Sequence, residues 1–121
     1  MENIYLLGRI ILGVYFLYNA YNHFANLDSL AGYAGSKKVP QAKIAIVVTG
    51  AMLFIGGAAI LTGMSMVIGL WILVAFLIAT SFMMHPYWKV TDQMMKMGEK
   101  INFQKNMALV GALLIILGLM Y

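Results

Sequence analysis

The chain has 121 residues, of which 63% are hydrophobic and only 10% charged. A water-soluble domain of this length has too much surface to cover with so few charges, so composition places the chain in the membrane class. Net charge is +4, to be read against membrane topology before nucleic acid, and the absence of cysteine excludes disulfide relays, thiolate metal sites and self-ligated iron–sulfur clusters.

The first predicted span runs from about Ile4 to Phe24 and closes on "YFLYNAYNHF", where Asn19, Asn22 and His23 interrupt an oily run. Its start, "MENIYLLGR", lacks the basic region of a signal peptide, and no small-residue cleavage site ends the run, so the helix is expected to be retained. At 100° per residue, Tyr5, Arg9, Leu12, Phe16, Asn19 and His23 share one stripe, with Tyr15 and Asn22 beside it. Arg9 either snorkels to the headgroups, caps the bundle, or anchors an anion or carbonyl group. The following "LDSLAGYAGSKKVP" reads as a short interfacial helix and a loop, with Pro40 at a first helical position.

Between Lys43 and Lys89 there is no Asp, Glu, Lys or Arg. One helix across that gap would be roughly 65 Å long, about twice the ~30 Å hydrocarbon core, so the chain must double back. Gly63-Met64-Ser65 supplies the turn, with Gly63 ending one helix and Ser65 capping the next. The second span, 42–62, is rich in small residues, including Thr49, Gly50, Gly56, Gly57 and the pairs Ala58/Thr62 and Ala59/Gly63, and reads as packing material. The third, 65–85, carries Trp71, Val74, Ile78, Ser81 and His85 on one stripe, and Pro86 closes it.

"VTDQMMKMGEKI" places Val90, Met94, Met97 and Ile101 on one face and is predicted to be a helix lying on the membrane surface. The fourth span, 102–121, reaches spanning length only if Asn102 to Asn106 are helical and Lys105 snorkels. Glu99, Asn102, Asn106, Leu109 and Leu113 share its stripe.

The expected architecture is all-α: a single-domain, four-helix transmembrane bundle with short interfacial helices in two cytoplasmic loops. Those loops and their flanks hold Lys37, Lys38, Lys43, Lys89, Lys96, Lys100 and Lys105, against Arg9 alone on the other side. By the positive-inside rule both termini are extracytoplasmic in a multi-pass inner (plasma) membrane protein. That topology brings Asn19, His23, Ser81, His85, Glu99, Asn102 and Asn106 to one depth. The bland reading of each is structural: interfacial imidazoles, amides joining helices, Trp71 and Trp88 in packing or belt positions. The sharper reading makes His23 and His85 proton donors or acceptors for a bound small molecule. Haem ligation by the two histidines is disfavoured by their place at helix ends, and a metal site with Glu99 is no stronger.

"GRIILGVYFLYNAYNHF", "SKKVPQAKIAIVVTGAMLFIGGAAILTG", "FLIATSFMMHPYW" and "NFQKNMALVGALLIILG" together resemble the DoxX family of small bacterial and archaeal membrane proteins. The motifs are Gly8-Arg9, Asn22-His23-Phe24, His85, Asn102-Phe103 and Lys105-Asn106, and the resemblance runs along nearly the whole chain. It implies a four-helix transmembrane fold. It also implies a family that includes a subunit of a thiosulfate:quinone oxidoreductase, partners of membrane redox assemblies, and distant receptors and assembly factors. The lack of cysteine argues against a thiol-based role here.

The leading expectation is an accessory membrane subunit without its own cofactor, binding a quinone-like or other apolar carbonyl compound between spans one, three and four. His23 or His85 would exchange protons with the ligand. Arg9, Asn19, Asn22, Ser81, Asn102 and Asn106 would orient polar groups, and Phe16 and Trp71 would line the slot. Its partners would be the bilayer, a redox subunit and a possible second copy, and no nucleic acid. The alternative is a non-catalytic scaffold or assembly factor. A small proton-coupled exporter ranks third, because Glu2, Asp28, Asp92 and Glu99 all lie at or outside the span boundaries.

Overall fold

The computed structural model describes residues 1–120, and the described residues are helical or in short connections. In chain order the helices are α1 (Glu2–Ala25), α2 (Leu27–Ser36), α3 (Ala42–Thr62), α4 (Met66–Met84) and α5 (Gln93–Met120), with a 3₁₀ turn at Tyr87–Lys89. Four segments are long and apolar enough to cross a membrane: α1, α3, α5, and α4 with the turn that follows it.

The α3–α4 turn falls at Gly63 to Ser65 and α4 begins at Met66, with Ser65 itself left-handed (φ 55°). Gly63 takes a left-handed conformation (φ 78°) that a side chain would disfavour, and its N–H donates to the Ala59 carbonyl at 2.8 Å. Two details differ from the sequence reading. Pro40 is not the first helical residue: α3 starts at Ala42, and Gln41 before it is left-handed (φ 48°). The stretch expected to form a separate surface helix is instead the start of α5, one 28-residue helix. Polarity changes near Ile101, but Gln, Met, Lys and Glu are strong helix formers and no proline intervenes, so the backbone has no reason to stop. Asp92 starts it, its Oδ1 accepting the Met94 N–H at 2.9 Å. At ~1.5 Å per residue α5 is roughly 42 Å long, about 12 Å more than a hydrocarbon core requires.

The chain divides into two compact units, Met1–Leu73 and the residues from Val74 onward. In the first, α1 lies antiparallel on α3, and α2 packs against α3 with Ala34 buried. Glycines set the α1–α3 separation. A Cβ on Gly57 would stand 3.0 Å from the Leu17 nitrogen, one on Gly13 2.9 Å from Leu61 Cβ, and one on Gly50 2.9 Å from the Phe24 ring. The start of α4 meets α3 through Gly56 against Leu73 and Gly69 against Ala59. Small residues on α3 are therefore its packing device, as expected, but the contacts fall at Gly50, Gly56, Gly57 and Ala59; Thr62 is exposed. Phe16, Leu53, Ile60, Leu70 and Leu73 form the closed core of this unit.

Candidate functional site

In the first unit Arg9 lies on α1 level with the end of α3. An α-helix leaves its last carbonyls without backbone donors, and in an apolar setting each needs a partner. Arg9 supplies it: Nε donates to the Ile60 carbonyl at 2.9 Å and a terminal nitrogen to the Leu61 carbonyl at 3.1 Å. The cation also faces the negative end of the α3 dipole. Its guanidinium carbon sits 5.5 Å from the centre of the Tyr5 ring, and the absent side chain of Gly63 makes the room it occupies. Among the readings of Arg9, the observed contacts are those of a cap.

His23 engages α3 near that helix's start. Its Nδ1 is 3.1 Å from both the Ile46 carbonyl and Thr49 Oγ1. Thr49 directs its hydroxyl proton to the Ala45 carbonyl at 2.7 Å, so both neighbours of Nδ1 are acceptors and the proton belongs on Nδ1. Asn19 donates to the Tyr15 carbonyl of its own helix at 2.8 Å, and Asn22 accepts from Asn26 at 3.5 Å. These bonds of the two amides are local to α1 and its C-cap. Phe16 is buried against Gly57, while Trp71 is 54% exposed.

The second unit assembles a different group. Ser81, fully buried, donates to the Leu77 carbonyl at 2.7 Å, and the His85 N–H donates to the Ser81 carbonyl at 3.2 Å. Pro86 then ends the helical path, and the 3₁₀ turn redirects the chain toward α5. His85 Nδ1 lies 3.1 Å from Glu99 Oε2, with the two side chains only 16% and 12% exposed. A carboxylate facing Nδ1 selects the tautomer protonated there, or the imidazolium. On the same helix ends, one turn from His85 and Glu99 along the chain, the rings of Phe82, Tyr87, Trp88 and Phe103 meet edge to face or tilted, with centroids 5.3–5.9 Å apart, and Lys100 Nζ sits 5.9 Å over Tyr87. Asn106 is buried two turns beyond Glu99 on α5, and Asn102 is half-buried between them.

The two histidines are therefore engaged separately, each within its own unit: His23 by α3 and His85 by α5. Sequence reasoning named His85 and Ser81 and brought Glu99 to their depth without pairing it with His85, read Trp88 as a packing or belt residue, and did not single out Thr49, Tyr87 or Phe103 as site residues. One signal was available. Glu99 and Phe103 stand four apart on one helical face, and Phe82 and His85 three apart on another. No set of three or more His, Asp or Glu side chains positioned to hold a metal ion occurs among the described residues.

Four segments long and apolar enough to cross a membrane, with no strand among the described residues, define a helical, multi-pass membrane protein. The sequence profile of the DoxX family matches residues 4–86, and the chain belongs to that family. The matched stretch ends just after His85, so α5 with Glu99, Phe103 and the N-F-x-K-N entry lies beyond it. No curated protein and no solved structure is detectably similar to the chain.

Proposed function

We propose that this DoxX-family protein is an accessory subunit of a redox assembly in the cell membrane, receiving a quinone-like or other apolar carbonyl ligand at the His85–Glu99 pair. The observation that carries the reading is that pair itself, an imidazole oriented by a carboxylate, with the clustered rings of Phe82 and Phe103 one helical turn away on the same two helices. With its Nδ1 proton held by Glu99, a neutral His85 offers Nε2 as a proton acceptor to a quinol hydroxyl; as imidazolium it donates to a quinone carbonyl. The rings supply flat apolar surface for a planar ligand. Electrons pass to or from a partner subunit. Seven lysines in and beside the two loops support cytoplasmic loops and extracytoplasmic termini.

The test uses Trp88 as the reporter. With Trp71 replaced by Phe, Trp88 is the remaining tryptophan, and a short-chain quinone analogue is titrated into the protein in lipid nanodiscs. Saturable quenching is expected, with an apparent Kd raised about tenfold in His85→Gln, the loss of one charge-assisted hydrogen bond. Quenching that rises linearly and identically in both proteins removes the reading.

A scaffold or assembly factor is the second reading, and the use of both Arg9 and His23 on main-chain carbonyls of α3 favours it. It expects His85→Gln to lower thermal stability and leave the activity of the assembly unchanged.

A further inference from the structure

We infer that the first unit carries a binding site for an anionic phospholipid, its acyl chain in a groove between α1 and α3 and its phosphate on Lys43. The groove has a volume of about 610 Å³ and is lined by Leu17, Ala20, Tyr21, Phe24, Ala25 and Phe54. It exists because Gly50 has no side chain, which lets the Phe24 ring lie on α3 and form one wall. Phe24 and Phe54 remain about half exposed along it.

The register of α3 says what lies at its end. Lys43, Val47, Gly50 and Phe54 are spaced by four, three and four residues and so fall on one stripe. The rise from Phe54 to Lys43 is roughly 16 Å, close to the ~15 Å thickness of one hydrocarbon leaflet. A chain lying in the groove beside Phe54 therefore brings its headgroup to the level of the Lys43 ammonium. Lys43 is available, because its ion pair with Asp28 at 3.5 Å joins side chains that are 67% and 91% exposed and is weak. Lys37 and Lys38, just before α3, add positive charge at the same end of the unit. Water has no use for such a groove, and a neutral lipid has no use for the lysines; an anionic phospholipid fits both.

Brominated-chain lipids test this. Phe24→Trp, in a background of Trp71→Phe and Trp88→Phe, places a reporter in the groove wall, and quenching by brominated phosphatidylglycerol is compared with brominated phosphatidylcholine. The expected preference is about fivefold for phosphatidylglycerol, falling to about onefold in Lys43→Gln and rising in Asp28→Asn, which removes the competing carboxylate. A protein keeping only its native Trp71, outside the groove, is expected to show no preference. Equal quenching by the two lipids at position 24, a preference unchanged in Lys43→Gln, or the same preference at Trp71 overturns the site. Because Lys43 and Asp28 are exposed, neither substitution endangers the fold.

Discussion

Arg9 and Ile60 are joined across 51 residues of chain by a 2.9 Å bond from guanidinium Nε to main-chain carbonyl, with the Leu61 carbonyl on the neighbouring nitrogen. One side chain thus closes the end of α3 and ties it to α1. Replacing Arg9 by Leu leaves both carbonyls without that donor, at a cost of about 1–3 kcal/mol each where water is excluded. Thermal unfolding in detergent should show a lowered Tm for Arg9→Leu and partial recovery in Arg9→Lys, which keeps the charge but not the fork. An unchanged Tm in Arg9→Leu would remove the capping role.

Glycines that look alike in sequence should behave oppositely. Gly57→Ala drives a Cβ to 3.0 Å from the Leu17 backbone, so α1 and α3 must part, and a loss of about 1–3 kcal/mol is expected. Gly111→Ala in α5 meets nothing within 4 Å and should be neutral or stabilise the helix by about 0.5–1 kcal/mol. Unfolding curves of the two variants, measured side by side, check the contrast; equal effects would contradict the packing described here.

His85 and Glu99 should be energetically coupled. Each single substitution, His85→Gln or Glu99→Gln, strips the other group of a largely buried partner, so the double variant should lose less than the sum of the two. A double-mutant cycle on stability is expected to return a coupling of about 1 kcal/mol or more. Additive losses would mean the 3.1 Å contact carries no energy.

Phe103 should report through Trp88. Its ring touches Phe82, Tyr87 and Trp88 together, so Phe103→Ala opens the cluster that holds the 3₁₀ turn. In a Trp71→Phe background the Trp88 emission should shift to the red and become more accessible to iodide. An unmoved spectrum would show that the turn stands without the ring.

Topology has its own check. Cysteines placed at Gly35 and Gly98, both open positions, should react with an impermeant thiol reagent from the same side of the membrane. Labelling from opposite sides would refute an even number of crossings between them.

Much of the fold was legible without coordinates. A 45-residue gap free of charge between Lys43 and Lys89 forces a doubled-back pair, and Gly63 marks the turn, so α3 was bounded at 42–62 as observed. The continuity of α5 was missed because a change in polarity at Ile101 was taken for a change in backbone.

What the sequence alone determined about this protein is its class: spans, turn, and the small residues that let α1 approach α3. Only the tertiary structure decided that Arg9 and His23 turn to α3 while His85 turns to Glu99. The reason is physical. In a soluble helix the buried face is the apolar one, whereas a helix in lipid is apolar on every side, so its pattern does not say which way it is rotated. Rotation decides which polar side chains meet, and it is set by close packing at glycines such as Gly50 and Gly57.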